Sequence, residues 1–382
     1  MMILRILIIT ISLLGLMIAQ VSAFETTARS ALVIDYNTGT VLLSKNADVP
    51  MPPASMSKLM TLNMIFEALD DGRLTLEDTF RVSAKASQKG GSKMFVREGA
   101  RVRIEDLIRG VIVQSGNDAC IVLAEGLAGT EDAFTKRMTL RARELGMENS
   151  NFVNSTGWPD PGHEMSAEDL VFLAGRLIEK FPQYYTYFTE KTFTWENIVQ
   201  NNRNPLLTLG IGADGLKTGH TAEAGYGLVG SAVSKGRRII FMVGGLDSAL
   251  ARSSEAERIA RWAFREFEMK TLFQAGTPVD RVNVWLGAEK SVEIALSNDI
   301  ELLLPLEKRD KITAHYTYND PVEAPISTGQ KLGELIITIP NRDPMHFPLT
   351  AVTSVEAGGF LERISAAADI LLRRIRAATS GG

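Results

Sequence analysis

The sequence has a single cysteine and no excess of basic residues. Cys120 is the only cysteine among 382 residues, so the chain cannot form an internal disulfide bond and has to be held together by its core. Its neighbours are apolar, which indicates a buried structural thiol rather than a nucleophile. The formal net charge of −4 provides no positive patch for a phosphate-rich partner, which excludes nucleic acid as the expected ligand.

Metal ligands at useful spacing and long apolar runs are also missing. The four histidines are scattered, and no His-Glu-x-x-His string is present, so a zinc protease is disfavoured and no cofactor is expected. The apolar run 6–18 is shorter than the roughly 20 residues that cross a bilayer as a helix. It follows Arg5 and leads to small residues near Ala23, which predicts that residues 1–23 are a secretory signal peptide.

The pattern of apolar and turn residues changes twice along the remaining chain. Residues 24–272 predict one mixed α/β domain, with a hairpin around 35–39, an α-rich insertion over 104–181 and a return to short strands. Residues 273–357 alternate in short runs broken by glycine, proline and asparagine, which predicts a small all-β domain. Residues 358–382 predict an amphipathic, locally basic helix, which either lies on an anionic membrane face or packs on its own domain.

Individual elements follow from periodicity and turn residues. The predicted helices are 55–69, 104–114, 118–126, 131–145, 166–181 and 253–267. The predicted strands are 216–220, 226–233, 238–245, 282–286, 292–296, 300–304, 312–318 and 331–339.

Ser55 and Lys58 form a Ser-x-x-Lys string at the start of a helix that is apolar on nearly every side. Residues three apart share a helical face, so the Lys58 amine can stand beside the Ser55 hydroxyl. Burial favours the neutral amine, which can activate the serine as a nucleophile, and the helix N-terminus can stabilise an oxyanion. The string is expected about once by chance in a chain of this composition. A lysine within an apolar helix, however, has to be paired or functional.

A second candidate is the turn Ser115-Gly116-Asn117 between two predicted helices. It presents a hydroxyl that can pass a proton and an amide that can hold a peptide carbonyl. By itself the turn is better explained as a helix-capping loop, with Asn117 or Asp118 as the cap.

The third candidate is Lys217-Thr218-Gly219-His220 on a predicted strand. The expected number of chance occurrences of Lys-Thr-Gly in such a chain is only roughly 0.1, so this string is the most informative of the three. The ammonium and hydroxyl of Lys217 and Thr218 suit a terminal carboxylate, and Gly219 permits a close backbone approach.

These three strings, in this order, make the sequence resemble penicillin-binding proteins and serine β-lactamases. The stretches 33–39, 54–61 and 219–229, with Arg238 before an apolar strand, are similar to the low-molecular-mass D-alanyl-D-alanine carboxypeptidases. The similarity extends over essentially the whole mature chain. It implies a transpeptidase/β-lactamase-like α/β (α+β) domain with an antiparallel sheet and a helical insertion, followed by the small all-β domain and the amphipathic helix.

The resemblance also implies the catalytic roles. Ser55 would form the acyl-enzyme, and Lys58 would take its proton. Ser115 would help to relay protons, and Asn117 would hold the substrate. The backbone N–H groups of Ser55 and His220 would form the oxyanion hole.

Carboxylate recognition is implied in the same way. Lys217 and Thr218 would receive the terminal carboxylate of the substrate, with Arg238 nearby. Gly219 and His220 belong to the same binding strand, and a role for the His220 side chain stays open.

The expected function is therefore removal of the terminal D-alanine from peptidoglycan stem peptides that end in D-Ala-D-Ala, with β-lactams as covalent inhibitors. The expected place is the periplasmic side of the inner membrane, with peripheral attachment through the C-terminal helix. Cleavage of cross-links or peptide transfer stays open, because the same acyl-enzyme serves all three reactions.

Two further alternatives are weighed on the residues. A class A β-lactamase has aspartate at the position of Gly116 and a glutamate followed by Leu-Asn, and the stretch 162–166 has no such glutamate. A catalytically silent binding module is disfavoured because the serine, lysine and asparagine of the three strings are intact.

Overall fold

The computed structural model describes residues 24–306, 312–339 and 343–360. The predicted signal peptide and residues 361–382 of the predicted C-terminal helix lie outside the described residues. Within the described ranges, no helix is both long enough and apolar enough to cross a membrane.

The part before residue 267 mixes strands and helices. Its strands are β1 (Ser30–Asp35), β2 (Val41–Lys45), β3 (Thr79–Arg81), β4 (Arg101–Arg103), β5 (Thr192–Trp195), β6 (Ile198–Asn201), β7 (Ala213–Thr221), β8 (Gly225–Ser234) and β9 (Arg237–Leu246). Its α-helices are α1 (Lys58–Asp70), α2 (Ala84–Gln88), α3 (Ile104–Ile112), α4 (Asn117–Ala128), α5 (Glu131–Glu144), α6 (Ala167–Lys180), α7 (Pro182–Tyr185) and α8 (Ala249–Arg265). Short 3-10 helices cover Ala54–Ser57, Thr186–Thr189 and Pro205–Thr208.

A five-stranded antiparallel sheet divides this part into two cores. The strand order is β2-β1-β9-β8-β7, so β7 is an edge strand. The larger core lies between the sheet and the helical insertion, and it surrounds α1 on nearly every side. The smaller core lies on the other face, where Ala256, Ile259, Ala260 and Ala263 of α8 recur at helical spacing and are fully buried.

The C-terminal part is built from strands, as predicted. They are β10 (Phe267–Phe273), β11 (Pro278–Trp285), β12 (Ser291–Leu296), β13 (Ile300–Pro305), β14 (Thr313–Tyr318), β15 (Val322–Glu323), β16 (Lys331–Thr338) and β17 (Met345–Ala351). Six of them form one sheet in the order β14-β16-β17-β12-β11-β15, while β10 pairs with β13. Side chains such as Ile294, Ile337 and Leu349 give this part its own core.

The mixed fold class is confirmed, but some bounds were wrong. Helix α8 begins at Ala249 rather than at residue 253, because the Ser248 hydroxyl accepts from the N–H of Ala251 at 3.0 Å and caps the helix there. The predicted boundary after residue 272 falls inside β10, whose partner β13 belongs to the C-terminal part. Strand β17 was missed because it contains Pro348, which weakens a strand pattern.

Candidate active site

The Ser55 hydroxyl and the Lys58 amine meet at the start of α1, as the sequence predicts. Nζ of Lys58 lies 2.9 Å from Oγ of Ser55. It also donates to Oδ1 of Asn117 at 2.8 Å and to the carbonyl oxygen of Thr156. Lys58 is 0% exposed, and burial lowers the pKa of its ammonium from 10.5 to about 8. A buried amine with a lowered pKa, in contact with a serine hydroxyl, can act as a general base.

Close backbone packing holds the turn that carries Ser55. Ala54 has a positive φ of 47°, a left-handed conformation that alanine rarely adopts. A Cβ added to Gly157 would lie 1.9 Å from the Ala54 carbonyl oxygen, and one added to Gly219 would lie 2.9 Å from the Pro53 carbonyl oxygen. Only glycine lets these two segments approach the nucleophile turn so closely.

The predicted turn Ser115-Gly116-Asn117 lies against Lys58. Ser115 has a φ of 62° and is 2% exposed, and its Oγ has no hydrogen-bond partner among the described residues. Asn117 donates from Nδ2 to the Gly90 carbonyl at 2.9 Å while its Oδ1 accepts from Lys58. The Ser115 hydroxyl is therefore free to bond a substrate or to pass a proton.

Gly116 has no room for a side chain. An added Cβ would lie 2.9 Å from Oδ1 of Asp118 and 3.2 Å from the Gly110 carbonyl oxygen. The same Asp118 carboxylate accepts from the backbone N–H groups of Met94 and Phe95, at 2.9 and 2.8 Å. An aspartate at position 116 would therefore need this loop to move.

Lys217, Thr218, Gly219 and His220 lie on the edge strand β7, beside the nucleophile turn. Lys217 is 1% exposed, donates to the Thr218 carbonyl at 3.0 Å, and forms no ion pair within the described residues. Burial and the charge of Lys58 lower the pKa of its ammonium well below 10.5. The His220 ring is exposed and stacks on Tyr226, with ring centroids 3.8 Å apart.

Two arginines that no sequence motif marked, Arg203 and Arg252, join this cationic group. Burial lowers the pKa of both guanidinium groups, and their charges act on Lys217. Nε of Arg252 is buried without a hydrogen-bond partner in the described part of the chain. Arg203 donates to the Ser92 hydroxyl, and the described residues offer neither arginine a carboxylate. Neighbouring cations to which the described residues offer no acidic partner favour an anionic ligand.

Arg238 is the predicted site residue that the structure separates from the others. Its guanidinium lies 2.8 Å from Oδ2 of Asp214, also contacts the Ser231 hydroxyl, and faces the Tyr185 ring. In the sheet, Arg238 pairs with Val233 of β8. Lys217 pairs with Val229, which lies four residues earlier in β8. The structure therefore places Arg238 away from Lys217, where Asp214 already neutralises its charge.

Comparisons with known proteins agree with this geometry. Residues 17–248 match the family model described as D-alanyl-D-alanine carboxypeptidase, and residues 267–357 match the C-terminal domain of penicillin-binding protein 5. The chain is 37% identical over 351 residues to the D-alanyl-D-alanine carboxypeptidase DacD of Escherichia coli, covering 89% of this chain and 90% of that protein. It is 33% identical over 344 residues to DacF of Bacillus subtilis, covering 87% of each.

Solved structures are similar as well. The crystal structure of the D-alanyl-D-alanine carboxypeptidase DacD from Francisella tularensis superimposes with a TM-score of 0.75 at 31% identity, covering 88% of this chain and 95% of that one. Penicillin-binding protein D2 from Listeria monocytogenes, in an ampicillin-bound form, gives a TM-score of 0.58 at 30% identity. It covers 63% of this chain and 99% of that one.

Proposed function

Because the chain belongs to the D-alanyl-D-alanine carboxypeptidase family, we propose that Ser55 is its acylated nucleophile and Lys58 the base that activates it. The protein is a serine-type hydrolase that removes the terminal D-alanine from peptidoglycan stem peptides. The observation that carries the assignment is the fully buried Lys58 amine, 2.9 Å from the Ser55 hydroxyl and with a pKa near 8.

The hydrogen bonds of Lys58 suit a neutral amine. A neutral amine has two N–H groups and one lone pair. The amide oxygen of Asn117 and the Thr156 carbonyl take the two N–H groups, which leaves the lone pair for the Ser55 O–H. Lys58 then accepts the serine proton as Ser55 attacks the carbonyl carbon of the penultimate D-alanine.

Other residues of the site bind the oxyanion, hold the substrate and transfer the proton. The backbone N–H groups of Ser55 and His220 bind the oxyanion, and the amide N–H of Asn117 holds a peptide carbonyl of the substrate. Ser115, whose hydroxyl has no partner among the described residues, passes the proton from Lys58 to the nitrogen of the departing D-alanine. Water then attacks the acyl-enzyme, which releases the shortened peptide and regenerates Ser55.

The terminal carboxylate is received by Lys217 and Thr218 together with Arg203 and Arg252. These two arginines replace Arg238, because their charges act on Lys217 and the described part of the chain offers them no carboxylate partner. Charge-assisted bonds to the carboxylate make a free C-terminus the preferred end of the substrate.

Covalent labelling with a fluorescent penicillin tests the nucleophile. We expect the wild-type protein to be labelled and to release D-alanine from a pentapeptide, and Ser55→Ala to do neither. A wild-type protein that is not labelled, or a labelled Ser55→Ala, refutes the assignment. The acyl-enzyme formed by penicillin is expected to hydrolyse slowly, because the stretch 162–166 lacks the glutamate followed by Leu-Asn that aims a water in class A β-lactamases. Digestion of purified sacculi, with products identified by mass, measures how far cross-links are also cut.

Export and membrane attachment complete the proposal. The composition of residues 1–23 supports a signal peptide, and the spacing of apolar and basic residues in 358–382 supports peripheral attachment to the periplasmic face of the inner membrane. Deleting residues 358–382 should move the protein from the membrane fraction to the periplasmic fraction. An unchanged membrane fraction refutes attachment through this segment.

A further inference from the structure

Glu131 is a nearly buried carboxylate at the first position of α5, outside the group of residues assigned above. Its side chain is 8% exposed. Oε1 accepts from the backbone N–H of Ser155 at 3.0 Å and from the Ser155 hydroxyl at 2.7 Å. Oε2 lies 2.8 Å from Nζ of Lys85. One carboxylate therefore holds both hydrogen-bond donors of Ser155.

Ser155 is held from its other side by the helix that carries Lys58. Oγ1 of Thr61 donates to the Ser155 carbonyl at 2.7 Å, and Thr61 lies one turn after Lys58 in α1. The next carbonyl along the chain is that of Thr156, which accepts from Lys58. The position of this carbonyl therefore depends on Ser155, which is clamped between Thr61 and Glu131.

Ionisation of the Glu131 carboxylate strengthens its hydrogen bonds to Ser155. Burial opposes ionisation of Glu131, but the hydrogen bonds from Lys85 and Ser155 hold its pKa below the ordinary value. Hydrogen bonds to an ionised acceptor are shorter and stronger than neutral ones. Because Ser155 is 0% exposed, removing the carboxylate leaves two buried donors unsatisfied, and the segment has to move to regain partners.

We propose that Glu131 is a positioning residue that holds the Thr156 carbonyl against Lys58 and so directs the lone pair of Lys58 at the Ser55 hydroxyl. The inference rests on the proposed role of Lys58 as base. When the Thr156 carbonyl is in place, one N–H of the neutral amine is fixed, and the lone pair has a defined direction. When it moves, the amine rotates and fewer molecules hold the reactive geometry.

Acylation kinetics with a fluorescent penicillin test this proposal, because they separate reversible binding from the acylation rate constant and count the active sites. We expect Glu131→Ala to lower the acylation rate constant per active site by about 10- to 100-fold, with reversible binding changed less than about threefold. Glu131→Gln keeps an oxygen that accepts from both Ser155 donors, so it should recover most of the rate.

Asp35 offers a matched control. It is 0% exposed and accepts from the backbone N–H and the hydroxyl of one residue, Thr38, at 3.0 and 2.9 Å. It also lies 3.0 Å from a cation, Arg237, but it ends β1 at the part of the sheet away from His220. Asp35→Ala should lower the melting temperature and leave the acylation rate constant per active site unchanged.

Three outcomes overturn the proposal. One is an equal acylation rate constant in Glu131→Ala and Asp35→Ala, which makes Glu131 merely structural. Another is a Glu131→Gln variant as slow as Glu131→Ala. If Glu131→Ala does not fold, Thr61→Val and Ser155→Ala each remove one bond of the clamp, and unchanged rates in both count equally against it. A Lys58→Met variant acylated as fast as the wild type refutes the base assignment instead.

Discussion

Replacing Gly157 with alanine tests whether a direct backbone contact positions the nucleophile turn. Gly157 has a φ of 75°, and an added Cβ would lie 1.9 Å from the Ala54 carbonyl oxygen. A carbon–oxygen contact ordinarily needs about 3.3 Å. One of the two segments therefore has to move by about 1.4 Å to admit the methyl group.

The displaced oxygen matters because the Ala54 carbonyl and the Ser55 N–H belong to one planar peptide unit. Moving the oxygen also moves the N–H group that we assign to the oxyanion hole. Loss of one oxyanion donor lowers kcat by about 10²- to 10³-fold, and a 1 Å misplacement can cost about 100-fold. We therefore expect Gly157→Ala to lower kcat for D-alanine release by at least about 100-fold.

Gly162→Ala is the matched control for this variant. Gly162 lies five residues later and has a φ of 80°, but the nearest atom to an added Cβ is 3.7 Å away, an ordinary contact. Both variants place alanine at positive φ, which costs about 1–2 kcal/mol of stability in each. Steady-state D-alanine release and melting temperatures are measured for both. If Gly157→Ala has a kcat within about threefold of Gly162→Ala, the contact does not position Ser55 and the reasoning is refuted.

Two further predictions concern charge. Acylation should rise with pH through the pKa of Lys58, because only the neutral amine accepts the serine proton, so the acid limb should lie near pH 8. A limb near pH 10.5 in a stopped-flow pH series contradicts the effect of burial. Arg203→Gln or Arg252→Gln should raise KM about 10- to 100-fold for peptides with a free terminal carboxylate, and much less for the corresponding C-terminal amides. Arg238→Gln should lower the melting temperature without changing this preference. If Arg203→Gln and Arg252→Gln raise KM equally for the free carboxylate and for the amide, these two arginines do not bind the carboxylate.

Much of the fold could be predicted because it depends on local patterns of apolar and turn residues. The all-round apolar pattern after Ser55 predicts the buried helix α1, and the turn residues around Gly39 predict the first hairpin. The bounds were less accurate where a cap or a strand start decides them, as at Ser248 and Phe267. Caps depend on one side-chain bond, which periodicity does not report.

Some features of the candidate site could also be predicted from local spacing, and others could not. The Ser55–Lys58 contact follows from helical spacing alone, since the two residues are one turn apart. The separation of Arg238 from Lys217 could not be predicted, because it depends on the register of β9 against β8. Arg203 and Arg252 were missed because neither belongs to a motif, and only the packing of distant segments brings them to Lys217.

By itself, the sequence determined the longer helices, the order of the three motifs and the pairing of a serine with a lysine, because these depend on residues close together in the chain. Only the tertiary structure decided which cations act on Lys217 and which carbonyl holds the Lys58 amine. It also decided that Glu131 reaches Ser155 across 24 positions of chain. Burial, shifted pKa values and long-range hydrogen bonds arise only when segments distant in the chain pack together and exclude water. Local sequence patterns therefore do not predict them.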